Sequence, residues 1–389
     1  MTKVQKVHSL TGRITPALVY DAWRAVRRNR GAAGIDKVSI QMFQANLDQN
    51  LDRLMRELKT GAFQPLPARR VYIPKSPGKF RPLGIPAVRD RVAQEVIRRL
   101  LSPIFERRFH DDSYGFRPGR SCHQAVERVL ELRRQGYGHV LDADICGFFD
   151  PGAPGHRAVM AELSAVIADG NILNLVEKFL KAGVLEGGKF LATRVGTPQG
   201  GVASPLLANI ALNVLDWHLH ERGFRFVRYA DDFVVLCQSE SQAKEARTLV
   251  EQLLRERLGL ELSSEKTKVT TFREGFAFLG FDITSQSVQM RAKSVENFKT
   301  KTRELTRRSH NLDAELVVRL NRLIRGTANY FATRWSDCGD AYRTLDRWLR
   351  MRLRCMKFKR KSKEDNFRLR LKHLNRLGLL SLSALIPPA

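Results

Sequence analysis

The chain has 389 residues, with 67 Lys plus Arg against 40 Asp plus Glu, a net charge of +27. That length accommodates two or three domains, and that charge calls for a polyanionic partner, nucleic acid being the commonest, without choosing RNA over DNA. No apolar run reaches about 18 residues and the N-terminus is not signal-like, which excludes membrane and export readings; five cysteines without paired spacing suggest neither a zinc site nor a disulfide framework and fit a reducing cytoplasm.

Residues 16–59 read as helical, because Leu18, Ala22 and Val26, then Phe43, Leu47, Leu51, Leu54 and Leu58, keep near-helical spacing. Gly31 and Gly34 interrupt them after a basic run. Residues 69–86 place a β-type run, a Pro/Gly turn and a second β-type run, the pattern of a hairpin. Lys75, Lys79 and Arg81 on it can converge on one anion, Lys as a point charge and Arg as a fork matched to phosphate. A charged surface hairpin fits the same residues. Residues 90–109 form a helix that Asp90 can cap, with Val92, Val96, Ile97, Leu100 and Leu101 in one stripe. Ser113-Tyr-Gly-Phe-Arg-Pro-Gly-Arg-Ser121 is a loop made basic by Arg117 and Arg120. Its aromatics Tyr114 and Phe116 also fit simple loop packing.

A strand over 139–144 ends in Asp144, and a helix follows near 157–168. Gly196-Thr-Pro-Gln199-Gly-Gly-Val-Ala-Ser204-Pro205 leads into another helix, which Ser204 caps and Pro205 opens. Leu207, Ile210, Ala211, Val214 and Leu215 form its buried face, and the small residues before it let a backbone approach a ligand closely. Two β-rich runs, 224–229 and 233–237, then flank Ala230-Asp231-Asp232 as a tight hairpin. Adjacent carboxylates repel unless a cation neutralises them, and a pair of divalent metals is the obvious neutraliser. Taken alone, a solvated Asp-Asp turn fits equally well. Carboxylates from separate strands converging on one point are what a metal site for nucleotidyl transfer needs, and Asp144 supplies the second strand. A helix over 241–258 and a strand near 268–272 complete a strand, helix, hairpin, helix, strand order resembling a split βαβ unit. From 295 to 353 the chain is helical and basic: Leu316, Leu320, Leu323 and Ile324 make one stripe, while Arg319, Arg322 and Arg325 face elsewhere. Residues 291–389 hold about 25 basic and 9 acidic residues, roughly +16 of the excess. Residues 347–363 suit backbone phosphates, or a solvated charged helix.

Tyr229-Ala-Asp-Asp232 on a hairpin, with Asp144 at a strand end upstream, resembles the palm of reverse transcriptases. Further motifs in order narrow the resemblance to the group II intron-encoded reverse transcriptase/maturase family. They are Asn29-x-Gly31-x-x-Gly34-Ile-Asp36, Ile73-Pro-Lys75 with Arg81-Pro-Leu-Gly-Ile-Pro86, the 113–121 loop, Asp144-Ile-Cys-Gly-Phe-Phe149-Asp150, Thr197-Pro-Gln199-Gly-Gly201, Ser264-Glu-Lys266-Thr-Lys268, Phe276-Ala-Phe-Leu-Gly280-Phe281 and Gly326-Thr-Ala-Asn-Tyr-Phe331.

The resemblance implies an α+β right-hand polymerase: a helical extension over 1–68, fingers and a split βαβ palm over 69–282, an α-helical thumb/maturase domain over 283–355 and a basic tail over 356–389. It implies an RNA-directed DNA polymerase in which Asp144, Asp231 and Asp232, with the Ile145 carbonyl, hold two Mg²⁺ ions that Mn²⁺ can replace. Lys75, Arg81, Phe149 and Gln199 are then nucleotide-binding. Arg117, Arg120, Lys266, Gly280, Arg322 and Arg325 meet template or primer, and Lys266 is also a candidate proton donor to pyrophosphate. The implied partners are an RNA template, a DNA or RNA primer, dNTPs and group II intron RNA, in the cytoplasm and away from membranes. The family's usual Lys is Cys146 here, Pro151 and Pro154 interrupt the next loop, and Thr327 stands where a Trp is usual. No Cys/His cluster follows, so the endonuclease domain of some members is expected to be missing. These departures keep open a domesticated role in phage defence, CRISPR spacer acquisition or DNA repair. A non-catalytic RNA-binding maturase is the alternative of another class.

Overall fold

The computed structural model describes residues 6–76, 78–146, 155–186, 189–191 and 200–387. It divides into two compact units, Met1–Val269 and Thr270–Ala389.

The first unit opens with α1 (Pro16–Arg28), α2 (Ile40–Ala45) and α3 (Leu47–Thr60). Thr15 and Ser39 cap the first two by accepting from Leu18 N and Met42 N. Strands β1 (Ala68–Ser76) and β2 (Lys79–Ile85) form the antiparallel hairpin that the Pro/Gly turn foretold. Helices α4 (Val88–Glu106) and α5 (Cys122–Arg134) precede β3 (His139–Asp144). Then come α6 (Gly155–Val166), α7 (Gly170–Lys181), β4 (Val184–Glu186), β5 (Lys189–Leu191) and α8 (Ser204–Glu221). The hairpin β6 (Arg225–Tyr229) and β7 (Asp232–Cys237) leads to α9 (Glu240–Leu253) and β8 (Lys268–Thr271). Two sheets result, with orders β2-β1-β4-β5 and β6-β7-β3-β8. The helix expected to reach residue 258 ends at Leu253, because Leu254–Leu258 winds as a π-helical turn closed by the left-handed Gly259.

Side-chain alternation gives the second sheet two different faces. Leu141 lies opposite Val235 and Ala143 opposite Phe233, and all four enter one core with Trp23, Leu58, Val96 and Leu207. The N-terminal helices therefore share a core with the sheet. The other face carries Asp142, Asp144 and Asp232. That face also buries Val140, Val234 and Leu236, so its carboxylates gather at the end of β3 and the start of β7.

Two expected caps are corrected. Asp90 lies inside α4, not before it, and its buried carboxylate accepts from Leu66 N at 2.9 Å. Burial raises its pKa to about 6. Ser204 is the first residue of α8 rather than its cap. Just before the helix, Gln94 Oε1 accepts from Val202 N at 2.7 Å and Ala203 N at 3.5 Å and so holds the chain entering it. Helix α7 and the β4–β5 pair had no expected counterpart. β4 lies parallel to β1, a long-range pairing with no local sequence signal.

The second unit holds a three-stranded antiparallel sheet, β9 (Phe276–Phe278), β10 (Phe281–Ile283) and β11 (Val288–Met290). Helices α10 (Ala292–Leu305), α11 (Ala314–Phe331) and α12 (Gly339–Lys357) follow, then the short α13 (Asp365–Arg368) and α14 (Leu371–Arg376). Leu316, Leu320 and Ile324 are buried as their spacing required, while Arg319, Arg322 and Arg325 are exposed. At Thr327 the hydroxyl donates to the Leu323 carbonyl at 2.9 Å, and Phe281 meets Tyr330, Phe331 and Trp335 at 5.1–5.8 Å. The chain after α14 is tied back by two buried polar side chains. Asn321 bonds Gly378 O and Leu380 N. The carboxylate of Asp346 accepts from Leu382 N, Ser383 N and the hydroxyls of Ser381 and Ser383 at 2.6–3.0 Å.

Asp346→Ala leaves those donors buried without their acceptor, a loss of about 3 kcal/mol. Amide hydrogen exchange of the intact protein is expected to show roughly hundred-fold faster exchange at Leu382 and Ser383, with the first unit unchanged.

Candidate active site

Tyr229 pairs with Asp232, so the hairpin closes through only Ala230 and Asp231. Ala230 sits at φ 60°, the left-handed region that costs an L-residue about 1–2 kcal/mol. Such a turn matches the twist of its strands and aims Asp231 from its tip.

Asp144 lies directly opposite Asp232 across the β3–β7 pair. The Asp144 carbonyl accepts from Ser263 N at 2.8 Å and its amide faces Thr267 Oγ1 at 3.4 Å, so its backbone bonds away from β7. The Asp144–Asp232 pair is therefore a non-hydrogen-bonded one, the kind with the closer side chains. By alternation the Ile145 amide and carbonyl point to the β7 side, towards the turn. Burial raises the pKa of Asp231, and repulsion from Asp144 adds to it, while Arg81 and Lys266 pull it down. Lys266 Nζ donates to Asp144 Oδ2 at 2.6 Å, which raises the lysine's own pKa. Among the described residues no three His, Cys, Asp or Glu side chains stand together as a preformed metal cluster. What the structure assembles is an Asp144–Asp231 pair in mutual repulsion, Asp232 across from Asp144, and Arg81 and Lys266 as counter-charges. Two like charges with free oxygens and nearby cations are a donor set that suits a hard divalent ion.

The turn is held from behind. Arg228, 1 % exposed, donates through Nε and Nη2 to both oxygens of Asp216 at 2.7 and 2.6 Å, and through Nη1 to Asn209 Oδ1 and Ala230 O, both at 2.9 Å. Asn209 and Asp216 are equally buried, two turns apart on α8. Asn209 Nδ2 also donates to the Gly115 carbonyl at 2.7 Å. The backbone of Arg228 bonds Asp112 O and Tyr114 N at 2.9 and 2.8 Å, so the loop runs beside β6. A Cβ on Gly115 would stand 2.3 Å from Ala230 N. None of Arg228, Asp216, Asn209 or Gly115 was singled out from the sequence. The signal was present: Asn209, Asn213 and Asp216 fall on one stripe of an otherwise apolar helix, and buried polar groups need partners.

The 113–121 loop is corrected in one respect. Arg117, 7 % exposed, spends its guanidinium on His110 O, Ser113 O and Glu106, so it does not face a template. Arg120 pairs with Asp111 at 2.8 Å and lies over the Tyr114 ring. Tyr114 is buried, whereas Phe116 is 58 % exposed. Lys266 stands at the carboxylate site, where its exposed ammonium pairs with Asp144 at 2.6 Å. Phe149 and Gln199, the 147–154 loop and the side chain of Lys75 lie outside the described residues. Gly200, next to Gln199, has φ 118° and a Cβ there would meet Gly84 O at 2.2 Å, so the chain at Gly200 approaches β2 backbone to backbone.

In the second unit a groove of about 670 Å³ brings Gly280 and Arg322 together with Ser294, Asn297, Lys301 and Tyr330. Arg325 is exposed one turn further on and does not line it. Gly280 and Leu279 form the two-residue turn of β9–β10, both at positive φ, and the Tyr330 hydroxyl donates to Leu279 O at 2.9 Å. No helix among the described residues is long and apolar enough to cross a membrane.

Comparison with known proteins bears on the same regions. Residues 73–283 match the family model for reverse transcriptase (RNA-dependent DNA polymerase), and residues 295–377 match that for the group II intron maturase-specific domain. Protein YkfC of Escherichia coli K12 is 39% identical over 306 residues, covering 68% of this chain and 80% of its own length. Group II intron-encoded protein LtrA of Lactococcus lactis subsp. cremoris is 31% identical over 339 residues, covering 69% of this chain but only 55% of its own length. A chain of the solved partial Cas6-RT-Cas1–Cas2 complex aligns with 62% of this chain and 40% of its own at 26% identity, with a TM-score of 0.40.

Gly115→Ala is expected to push the Ala230 turn from its seat and to cost about 1–3 kcal/mol by overpacking, read as a lower thermal midpoint of the first unit than in wild type.

Proposed function

Since the chain belongs to the reverse transcriptase (RNA-dependent DNA polymerase) family and carries a group II intron maturase-specific domain, we propose that it extends a DNA or RNA primer with dNTPs on an RNA template, using Mg²⁺ held by Asp144, Asp231, Asp232 and the Ile145 carbonyl. The observation that carries this reading is the gathering of Asp144, directly opposite Asp232 across β3–β7, with Asp231 in the adjoining turn and Lys266 Nζ on Asp144 at 2.6 Å. Bound there, a pair of divalent ions lowers the pKa of the primer 3′-hydroxyl and neutralises the triphosphate and the departing pyrophosphate.

The chain's own groups do the rest. Arg81 presents a guanidinium to phosphate oxygens, a fork that Lys cannot reproduce. Lys266 keeps a proton beside the carboxylates, where it can be passed to the leaving pyrophosphate. Gln199 and Phe149 shape the nucleotide pocket, with Phe149 leaving no room for a 2′-hydroxyl. Lys75 joins Arg81 at the triphosphate. In the second unit Gly280 lets a strand approach the backbone, and Arg322, Lys301 and Asn297 offer donors along the groove. Arg325 and the basic run after residue 347 add phosphate-binding charge in the second unit, and Arg120 adds it in the first. In domain terms we read 1–68 as an extension, 69–282 as fingers and palm, 283–355 as thumb/maturase and 356–389 as a basic tail.

Group II intron RNA is the natural cognate for a chain with a maturase-specific domain, and the cytoplasm the natural setting. The counter-charged carboxylates argue against a maturase without catalysis, since a binding module gains nothing from holding like charges together.

Primer extension on an RNA template with Mg²⁺ and dNTPs is expected from wild type. It should fall at least about a thousandfold in Asp231→Ala and cease with a chelator, since the metal term is worth several kcal/mol. No extension by wild type, with tight RNA binding retained, sinks the enzymatic reading. Arg322→Ala is expected to weaken binding across sequences alike and to make the slope of log K against log salt shallower by about 1.

A further inference from the structure

We propose that Arg228 is the positioning residue of the active site: locked on Asp216 and Asn209, its guanidinium grips the Ala230 carbonyl and so fixes the aim of the Asp231 carboxylate. The inference rests on the polymerase reading and assigns the fork behind the turn a role in metal binding and turnover.

Four hydrogen bonds leave Arg228, and each goes to a different acceptor atom. Two hold Asp216 in a bidentate pair, which fixes the guanidinium plane. The other two leave Nη1, one to Asn209 and one to Ala230 O. A buried ion pair serving stability alone has no need of the last contact, and such pairs are often replaceable by apolar side chains without loss. The contact falls on the one residue of the turn in the left-handed region, immediately before Asp231. Ala230 tends to relax from that conformation, and a relaxed turn would swing the next residue, Asp231, to a new direction. The Ala230 carbonyl, held by Arg228 Nη1 at 2.9 Å, is where a restraint on that movement acts. Asn209 carries the same restraint to Gly115, whose backbone packs on the turn from the other side.

Lys at 228 keeps the charge for Asp216 but lacks the planar fork, so it cannot hold Asp216, Asn209 and the carbonyl together. Asn209→Ala is the milder cut, because it removes one of the two Nη1 acceptors and the Gly115 bond, loosening the guanidinium that holds Ala230 O while leaving the Arg228–Asp216 pair. The test measures wild type, Arg228→Lys and Asn209→Ala side by side, each scaled to its folded fraction by circular dichroism. Mn²⁺ binding without substrates is followed by electron paramagnetic resonance, and primer extension gives kcat and the KM for dNTP. A misplacement on the order of 1 Å at a reacting centre lowers rates about a hundredfold. Arg228→Lys is therefore expected to lose about that much in kcat with its KM within about twofold, and to bind Mn²⁺ roughly tenfold more weakly; Asn209→Ala should show about a tenfold loss in kcat. Folded variants with kcat and Mn²⁺ affinity within about twofold of wild type, differing only in melting temperature, overturn the proposal and leave Arg228 a stabilising residue. If Arg228→Lys does not fold, Asn209→Ala alone decides between these outcomes. Wild type that binds Mn²⁺ but extends no primer counts against the polymerase reading, and the metal affinities of the variants still decide the role of Arg228.

Discussion

Like charges held close in a partly buried place set the terms for the first unit. Asp144 and Asp232 face each other across β3 and β7, and Asp231 stands in the β6–β7 turn immediately before Asp232. Burial and mutual repulsion both oppose ionisation there. The alternation that sends Leu141, Ala143, Phe233 and Val235 into the core places the carboxylates on the opposite face, so packing the core also assembles the site. Arg81 arrives from the β1–β2 hairpin and Lys266 from the segment before β8, and each lowers the cost of ionising Asp231.

Such a site needs rigid support, and the support is polar and buried. Arg228, Asp216 and Asn209 are removed from water, yet every partner is within hydrogen-bonding distance. A half-satisfied network of this kind is worse than an apolar core, so its value depends on completeness. The glycines complete it from outside the network. Gly115 and Gly200 occupy positions where a methyl group would collide with backbone, which brings the loop against the catalytic turn and the 200–202 segment against β2. Gln94 then holds that second segment at the start of α8.

Much of this was legible in the sequence, and the limits were physical. The β3 strand, the β6–β7 hairpin and the three long helices after residue 291 follow from periodicity and turn residues, which are local signals. Arginine fates were not legible. Arg117 and Arg322 look alike in a basic chain, but Arg117 lies within reach of two loop carbonyls and Glu106 and is consumed internally, while Arg322 faces a groove. The difference lies in acceptors that only the folded loop supplies. Ser204 and Asp90 were taken for caps on residue type. Gln94, more than a hundred residues away, holds the chain entering α8, and Leu66 N drew the carboxylate of Asp90. The β4–β1 pairing joins short segments far apart in the chain, and nothing in either one specifies the other.

Backbone strain recurs at the candidate sites, though not only there. Positive φ at a non-glycine residue is costly, and three of the residues that adopt it are Phe116, Ala230 and Leu279. Each lies inside a motif that the sequence had already set apart. Ala230 and Leu279 each open a two-residue turn, one in each unit, Ala230 alone at positive φ in the first and Leu279 together with Gly280 in the second, and the carbonyl of each is held by a side chain, Arg228 of the hairpin's own strand and Tyr330 of α11. A turn chosen for stability alone would carry glycine or asparagine at that position. Holding an unfavourable turn with an external hydrogen bond instead fixes both its conformation and its orientation. A residue that must present a carboxylate, or a backbone that must meet a strand, requires both.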